Sequence, residues 1–217
     1  MALAIFDLDN TLLGGDSDHA WGQFLVNKSI VDGEAYGAAN DRFFRAYQDG
    51  SLDIHAYLQF ALEPLTRFSL DELKQLHNEF MRIMIAPLRL PKADALIAEH
   101  RAKGDYLLII TATNAFITRP IGESLGVDAL LASEPEIRDG RYTGNVVGTP
   151  CFREGKVVCL REWLQQHPYD PAEAYFYSDS QNDLPLLNMV GHPVAVDADD
   201  TLRGEALKRG WPIISLR

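Results

Sequence analysis

The sequence predicts an α/β protein, a doubly wound parallel sheet interrupted just after its first strand by an all-helical insertion. Three observations carry this reading. Short apolar runs end abruptly at polar residues, as strands buried on both faces do. From Pro91 onward such runs alternate with helical patterns, the signature of βαβ units. Between about Asp18 and Leu88 the pattern is helical almost throughout.

The first strand covers residues 3–6 and leads into the turn-like Leu12-Leu13-Gly14-Gly15-Asp16. The insertion reads as helices over 20–28, 34–48, 54–65 and 70–85. The last opens on a capping box, with Ser69 as N-cap and Glu72 three residues on. Its apolar positions Leu70, Leu73, Leu76, Phe80 and Ile83 recur at helical spacing. Phe43, Phe44, Tyr47, Tyr57 and Phe60 are expected to build the core of this bundle. A helix over 92–103 stops at Gly104, a strand over 106–110 reaches Thr111, and a helix follows over 115–125. Residues 129–132 form a short strand, and Arg138-Asp139-Gly140-Arg141 marks a hairpin turn. A helix over 155–166, a strand over 174–177 ending at Ser178-Asp179, and a strand over 193–196 complete the pattern. The expected domains are a core of residues 1–15 and 89–217 and an inserted helical domain of residues 16–88.

At 217 residues the chain can bury a full core, and with 47% hydrophobic and 24% charged residues it has an ordinary globular composition. A formal charge of −11 and the lack of Lys/Arg clusters exclude nucleic acid and anionic membranes as partners. Cys151 and Cys159 make no disulfide framework and have no zinc-site spacing, so they read as small apolar residues. Asp7 and Asp9 would interrupt a signal peptide's apolar region, and no apolar run is long enough for a bilayer, so a cytoplasmic location is expected. The sequence holds no signal for an oligomeric state.

The informative polar residues sit where apolar strands stop. Asp7 and Asp9 follow the first strand at i and i+2, which puts both carboxylates on one side of an extended backbone. In an open α/β sheet the carboxyl ends of the strands face the ligand crevice. Two like charges held together are costly unless a cation or a proton relieves them. Thr111, Asp179 and Asp183 lie at later strand ends, and Lys156 opens a helix behind Gly155. Lys156, rather than the bystanders Arg153 and Lys103, is the expected fixed cation. Four aspartates against one lysine and one divalent cation leave a residual negative charge, which protonation of one aspartate would remove. A neutral aspartic acid is also the proton donor that a departing alkoxide needs.

Asp7-Leu-Asp9-Asn-Thr11, Thr111, Lys156 and Ser178-Asp179-Ser-Gln-Asn-Asp183 resemble, in this order, the four motifs of the haloacid dehalogenase (HAD) superfamily. The resemblance spans nearly the whole chain. It implies a Rossmann-like HAD core with an inserted all-helical type 1 cap, as in the phosphoserine phosphatase-like branch, and a phosphate monoester hydrolase acting on a small phosphorylated metabolite. Asp7 would be the nucleophile that becomes an aspartyl phosphate, and Asp9 the acid and then the base. Thr111, Ala112, Asn114, Lys156 and Asn182 would hold the phosphate, with backbone N–H groups at the helix start contributing. Asp7, the Asp9 carbonyl and Asp179 would bind Mg2+, and Asp183 would orient Lys156 or a metal-bound water. For Asn182 a helix cap remains open as the other reading.

Specificity in this family comes from the cap and the loop leading into it, here Gly14-Gly15-Asp16-Ser17-Asp18-His19-Ala20-Trp21. Phosphoserine phosphatases carry a glutamate nine residues after the nucleophile for the substrate amine, and Asp16 stands at that spacing. The segment is similar to a proteobacterial group of these enzymes that act on histidinol phosphate. Asp16 would take the amine and His19 or Trp21 the ring, with Ser17 beside them; an N-cap cluster at Asp16, Ser17 and Asp18, and a place in the core of the insertion for Trp21, are the other readings. Arg42 and Arg45 are candidates for a substrate carboxylate, should phosphoserine be the substrate. A phosphotransferase would use the same residues. A receiver-like phosphoacceptor module, which also combines Asp, Thr and Lys around Mg2+, fits poorly with the late Asp179/Asp183 pair and the large helical insertion.

Overall fold

A computed structural model describes residues 2–217; residue 1, the first of the expected core, lies outside the described residues. β1 (Leu3–Phe6) is followed by the helical insertion, with α1 (Ser17–Asn27), α2 (Gly33–Asp49), α3 (Ile54–Leu62) and α4 (Leu70–Phe80). The chain returns through α5 (Pro91–Ala102) to β2 (Tyr106–Asn114), α6 (Ala115–Leu125), β3 (Ala129–Arg138) and β4 (Arg141–Val147). Then come α7 (Glu154–Leu164), β5 (Tyr175–Ser178), the short α8 (Leu184–Leu187), β6 (His192–Val196), α9 (Asp200–Arg209) and β7 (Ile213–Ile214).

The strands form one sheet in the order β4-β3-β2-β1-β5-β6-β7, parallel except for the β3–β4 pair. The chain builds outward from β1 through β2 and β3, then crosses to β5 on the other side. The switch point of a doubly wound sheet therefore falls at the end of β1, where strand ends leave a crevice. Alternation along β1 explains its complete burial: Ala4 and Phe6 enter one core cluster with Leu107 and Ile109, and Leu3 and Ile5 enter the other with Leu108 and Ile110. Helices cover both faces. No helix among the described residues is long and apolar enough to cross a membrane.

The insertion leaves and rejoins the core at one place. Leu13 and Arg89 form an antiparallel bridge, and the Gly14 N–H donates to the Leu88 carbonyl at 2.8 Å. Trp21, Phe24, Leu62 and Phe80 belong to the same buried cluster as Phe6 and Ile109, so part of the insertion packs directly onto one face of the core. Trp21 meets Phe116 of α6 edge-on at 5.2 Å.

Several elements differ from the sequence reading. The helix expected over 70–85 keeps its Ser69/Glu72 capping box but leaves α-geometry at Phe80 and continues as a π-helical turn, Met81–Ile85. The wider turn shifts the inward face by two residues, so Ile85 is buried while Ile83 is exposed, and Leu70 at the other end is exposed too. β3 runs past residue 132 because its outer half has its own partner in β4, from Glu134↔Val147 to Arg138↔Arg141. The expected hairpin turn at 138–141 is there, with Asp139 and Gly140 both left-handed. α9 and β7 were not expected; Asp199 as N-cap and Gly210 as the left-handed C-cap are the local signals that bracket α9.

α7 begins under a tight constraint. The loop before it folds back so closely that a Cβ at Gly155 would lie 2.0 Å from the Pro150 carbonyl oxygen. Only glycine fits, and Lys156 follows at once. Gly155→Ala is expected to destabilise the protein by about 1–3 kcal/mol, measured by denaturant unfolding; a loss within error would show that the loop can move aside.

Candidate active site

The ends of β1 and β5 and the first turn of α7 supply the charged centre. Asp7 follows β1 directly, its N–H donating to the Tyr177 carbonyl of β5 at 2.9 Å. Lys156, 1% exposed, reaches back so that its Nζ donates to Asp7 Oδ1 and to the Asp183 carboxylate, each at 2.8 Å. Ser178 Oγ donates to the same Asp183 carboxylate at 2.7 Å. Thr11 joins the ends of β1 and β5: its hydroxyl donates to Asp179 Oδ1 at 3.2 Å and accepts from the Asp179 N–H at 3.1 Å.

These groups perturb one another. Burial pushes the Asp7 carboxyl above the usual range, with Asp183 and Asp9 adding to it and Lys156 opposing it. Asp179 is likewise held well above its ordinary value by burial and by Asp7 and Asp183. Burial works against the charge on Lys156, yet Asp183 and Asp7 outweigh it and hold its ammonium above the normal range. The centre is thus short of positive charge.

Asp9 stands apart from that pair. Its Oδ1 accepts from the Ser17 N–H at the start of α1 at 2.7 Å, and its Oδ2 accepts from Thr113 Oγ1 at 2.8 Å. Burial, then the nearby Asp16, push it up to about 7, while the Ser17 and Thr113 hydrogen bonds pull down. A carboxyl poised near neutrality can both give and take a proton.

A divalent cation suits this centre on its chemistry. Asp7 and Asp179 are buried carboxylates whose charge Lys156 and Thr11 offset only in part, and the Asp9 carbonyl accepts no hydrogen bond among the described residues. No group of three or more His, Cys, Asp or Glu side chains among those residues is arranged to hold a metal, so two carboxylates and one carbonyl are the protein's available ligands. That hard, sparse oxygen set, completed by water, is what Mg2+ accepts.

Above the aspartates lies a chamber whose floor is Asp7, Asp9, Thr111, Ala112 and Thr113 and whose walls come from the insertion. Asp16, Asp18, His19 and Asn40 line it together with Phe43, Phe44, Tyr47 and Tyr57. These four aromatics are therefore not the core of a bundle; they are half-buried because one side faces the chamber. Phe60 packs against Tyr36 and Phe43 behind them. Among the described residues no lysine or arginine lines the chamber. Burial and Asp18 push Asp16 up to about 6; burial and Asp9 push Asp18 up to about 7 while Tyr57 pulls it down.

The other candidates fall in several places. Asp16 is both the N-cap of α1, accepting from the His19 N–H at 2.7 Å, and a chamber wall. His19 lines the chamber, with its ring on Phe44 and Nε2 at 2.8 Å from Asp41. Ser17 and Trp21 do not line it: Ser17 contributes its backbone N–H to Asp9, and Trp21 is spent on the aromatic core. Asn114 caps α6 through its side-chain oxygen and is not among the lining residues. Asn182 does not line the chamber, and it caps not the helical turn it sits in but the far end of α2: its Nδ2 donates to the Tyr47 carbonyl and its Oδ1 accepts from Arg153. Arg153 is thus no bystander. Arg42 lies over Phe43 and Arg45 bonds its own helix, both exposed and outside the chamber. Cys151 and Cys159 are free and lie side by side before and within α7.

Thr113 and Asp18 escaped the sequence reading. Thr113 could have been found from strand alternation, since it stands two residues past Thr111 on the same side. Asp18 was hidden by its place in an N-cap-like cluster. Replacing Lys156 by Met would leave Asp7 and Asp183 buried without a cation. It is expected to cost roughly 3–5 kcal/mol of stability at pH 7.5. The loss should shrink toward pH 5, because the folded variant would take up a proton that the unfolded chain leaves in solution. Thermal unfolding at both pH values checks this, and an equal loss at both would refute it.

A model of the haloacid dehalogenase-like hydrolases matches residues 4–188. A histidinol-phosphatase of Neisseria meningitidis serogroup C is 46% identical over 219 residues, covering 99% of each chain. A phosphoserine phosphatase of Mycobacterium tuberculosis is 32% identical over 219 residues, spanning 100% of this chain and 71% of its own length. Among solved structures, a protein of unknown function from Bordetella pertussis shares 43% identity at a TM-score of 0.93, with 100% of this chain and 99% of that one covered. A substrate-bound phosphoserine phosphatase shares the fold at 17% identity and a TM-score of 0.73, covering 100% of this chain and 93% of its own. With its four motifs in order along the chain and its full-length relatives, the chain belongs to the haloacid dehalogenase-like hydrolases and is a phosphatase among them.

Proposed function

We propose that this phosphatase hydrolyses L-histidinol phosphate through an aspartyl phosphate on Asp7, with Mg2+ as cofactor, and that residues 16–88 act as a cap on a core of residues 1–15 and 89–217. The observation that carries the substrate is the chamber lining: two carboxylates, Asp16 and Asp18, among aromatic rings and without a lysine or arginine. Such a lining attracts a primary ammonium and stacks an imidazole. A substrate bringing its own carboxylate would meet two anions and no cation there. Phosphoserine, the alternative that the 32% identical relative keeps open, is disfavoured on this ground. The 46% identity to a histidinol-phosphatase supports the same choice.

Asp7 would attack phosphorus in line, forming an acyl phosphate that water readily cleaves. Asp9, with a carboxyl near 7, would hand its proton to the leaving alkoxide and then take one from the attacking water. Lys156 would offset charge developing between Asp7 and the phosphoryl oxygens, held in line by Asp183. Thr111 and the backbone of Ala112 would receive the phosphoryl oxygens at the floor, and Thr113 would keep Asp9 in place. Mg2+, held by Asp7, the Asp9 carbonyl and Asp179, would supply the missing positive charge at the phosphoryl group.

A panel of phosphate monoesters assayed with Mg2+ tests the substrate. L-histidinol phosphate is expected to exceed phosphoserine and sugar phosphates in kcat/KM by roughly a hundredfold or more; equal turnover of phosphoserine would sink the assignment. Asp7→Asn is expected to fold normally and to lose roughly ten-thousandfold in kcat, and substantial remaining turnover would remove Asp7 as nucleophile. Asp16→Asn keeps the helix cap but removes the charge. Its KM for histidinol phosphate should rise roughly 10- to 100-fold at pH 7.5, with p-nitrophenyl phosphate much less affected. Because the Asp16 carboxyl lies at about 6 and Asp18 at about 7, the wild-type KM should fall as pH rises from 5 to 7, and the variant's should fall less over the same range. A parallel change for both esters would make Asp16 a cap residue only.

A further inference from the structure

α2 runs along the chamber, carrying Phe43, Phe44 and Tyr47 in its lining, and ends at Gly50. Its last carbonyls point at the core, where three side chains donate to them. Asn182 Nδ2 reaches the Tyr47 oxygen at 2.9 Å, Gln181 Nε2 reaches the Gln48 oxygen at 3.1 Å, and Arg153 Nη2 reaches the Gly50 oxygen. Arg153 Nε also donates to Asn182 Oδ1 at 3.0 Å, which joins the donors into one network. A guanidinium at a helix C-terminus is further favoured by the helix dipole.

Two backbone features accommodate this contact. Gly50 is left-handed at φ 76°, and a Cβ there would lie 3.0 Å from Arg153 Nη2 and 3.6 Å from Gln181 Nε2. Arg153 itself sits at φ 51° and ψ −120°, a conformation that L-residues rarely adopt, and it caps α7 with no side-chain hydrogen bond. Its side chain is committed to α2 and to the ring of Phe152, 5.1 Å from the guanidinium. The donors belong to the two core loops that also bear Lys156, Asp179 and Asp183, so the roof of the chamber hangs on the segments that hold the charged centre.

We propose that Arg153, with Gln181 and Asn182, is a positioning latch: it docks the C-terminal end of α2 on the core and thereby sets the aromatic roof over the substrate. No reacting group is touched by it. The latch acts through Phe43, Phe44 and Tyr47, so its removal should weaken the hold on the substrate while leaving the chemical step in place. The kinetic part of this inference rests on the proposed substrate; the backbone part does not.

Two measurements on the full chain test it. In Arg153→Ala, KM for histidinol phosphate should rise roughly tenfold with kcat kept or raised by faster product release, and Arg153→Lys should recover part of the loss. Gln181→Ala should move KM in the same direction by less, and the double variant should fall short of the sum of the two effects. Hydrogen exchange over residues 46–52 should speed up in Arg153→Ala and Gln181→Ala, while β1 keeps its protection. Parallel losses in kcat for histidinol phosphate and p-nitrophenyl phosphate, with unchanged exchange over 46–52, would overturn the latch and make Arg153 a support for Lys156. Unchanged KM and unchanged exchange would overturn it as well. If histidinol phosphate is not turned over at all, the substrate assignment fails and exchange alone decides the latch. Should Arg153→Ala not fold, Gln181→Ala supplies both readings.

Discussion

The centre of the molecule depends on one buried cation. Lys156 lies between Asp7 and Asp183 at 2.8 Å from each and is almost wholly removed from water. None of the three could be buried alone without a cost of several kcal/mol. Together they bind the end of β1, the first turn of α7 and the turn after β5 into one unit, with Gly155 permitting the loop approach that brings the lysine in. The sheet order serves this contact, since placing β5 beside β1 puts Asp179 and Asp183 next to Asp7.

The remaining shortage of positive charge organises what surrounds that unit. Asp9 is drawn off toward the insertion, where Ser17 and Thr113 donate to both its oxygens, and burial raises its carboxyl to about 7. The two neighbouring aspartates thereby occupy different electrostatic settings, one against a lysine and one against neutral donors. A split of that kind separates a nucleophile from an acid–base group. Farther from the core the chamber repeats the excess of negative charge with Asp16 and Asp18, now in reach of a bound molecule rather than of a lysine. An excess of negative charge of this kind, at the floor and in the chamber alike, is relieved by cations and not by anions.

Much of this was legible in the sequence because it depends on local spacing. A short apolar strand followed by Asp7 and Asp9, a strand ending at Thr111, a glycine before Lys156, and the Ser69/Glu72 capping box are all rules of a few residues' reach. They kept their places in the fold, except that β2 runs on past Thr111 to Asn114, which pairs with Ser133 of β3. The errors arose where a partner distant in sequence decided the outcome. β3 continued because β4 lay beside it. The π turn after α4 exchanged Ile83 for Ile85 in the core. Trp21 went to the aromatic cluster around Phe116, and Arg153 went to a helix carbonyl more than a hundred positions away.

The sequence by itself determined the sheet, the insertion point and the identity of the charged groups at the strand ends. Strand alternation and helix caps are properties of neighbouring residues, and so they can be read without knowing what packs where. Only the tertiary structure decided which residues of the insertion face the chamber. Phe43, Phe44, Tyr47 and Tyr57 have the same composition and spacing whether they fill a core or line a cavity; the difference is what stands opposite them. Here Asp7, Asp9 and the loops beneath α2 stand opposite, and the latter hold its end through Arg153, Gln181 and Asn182.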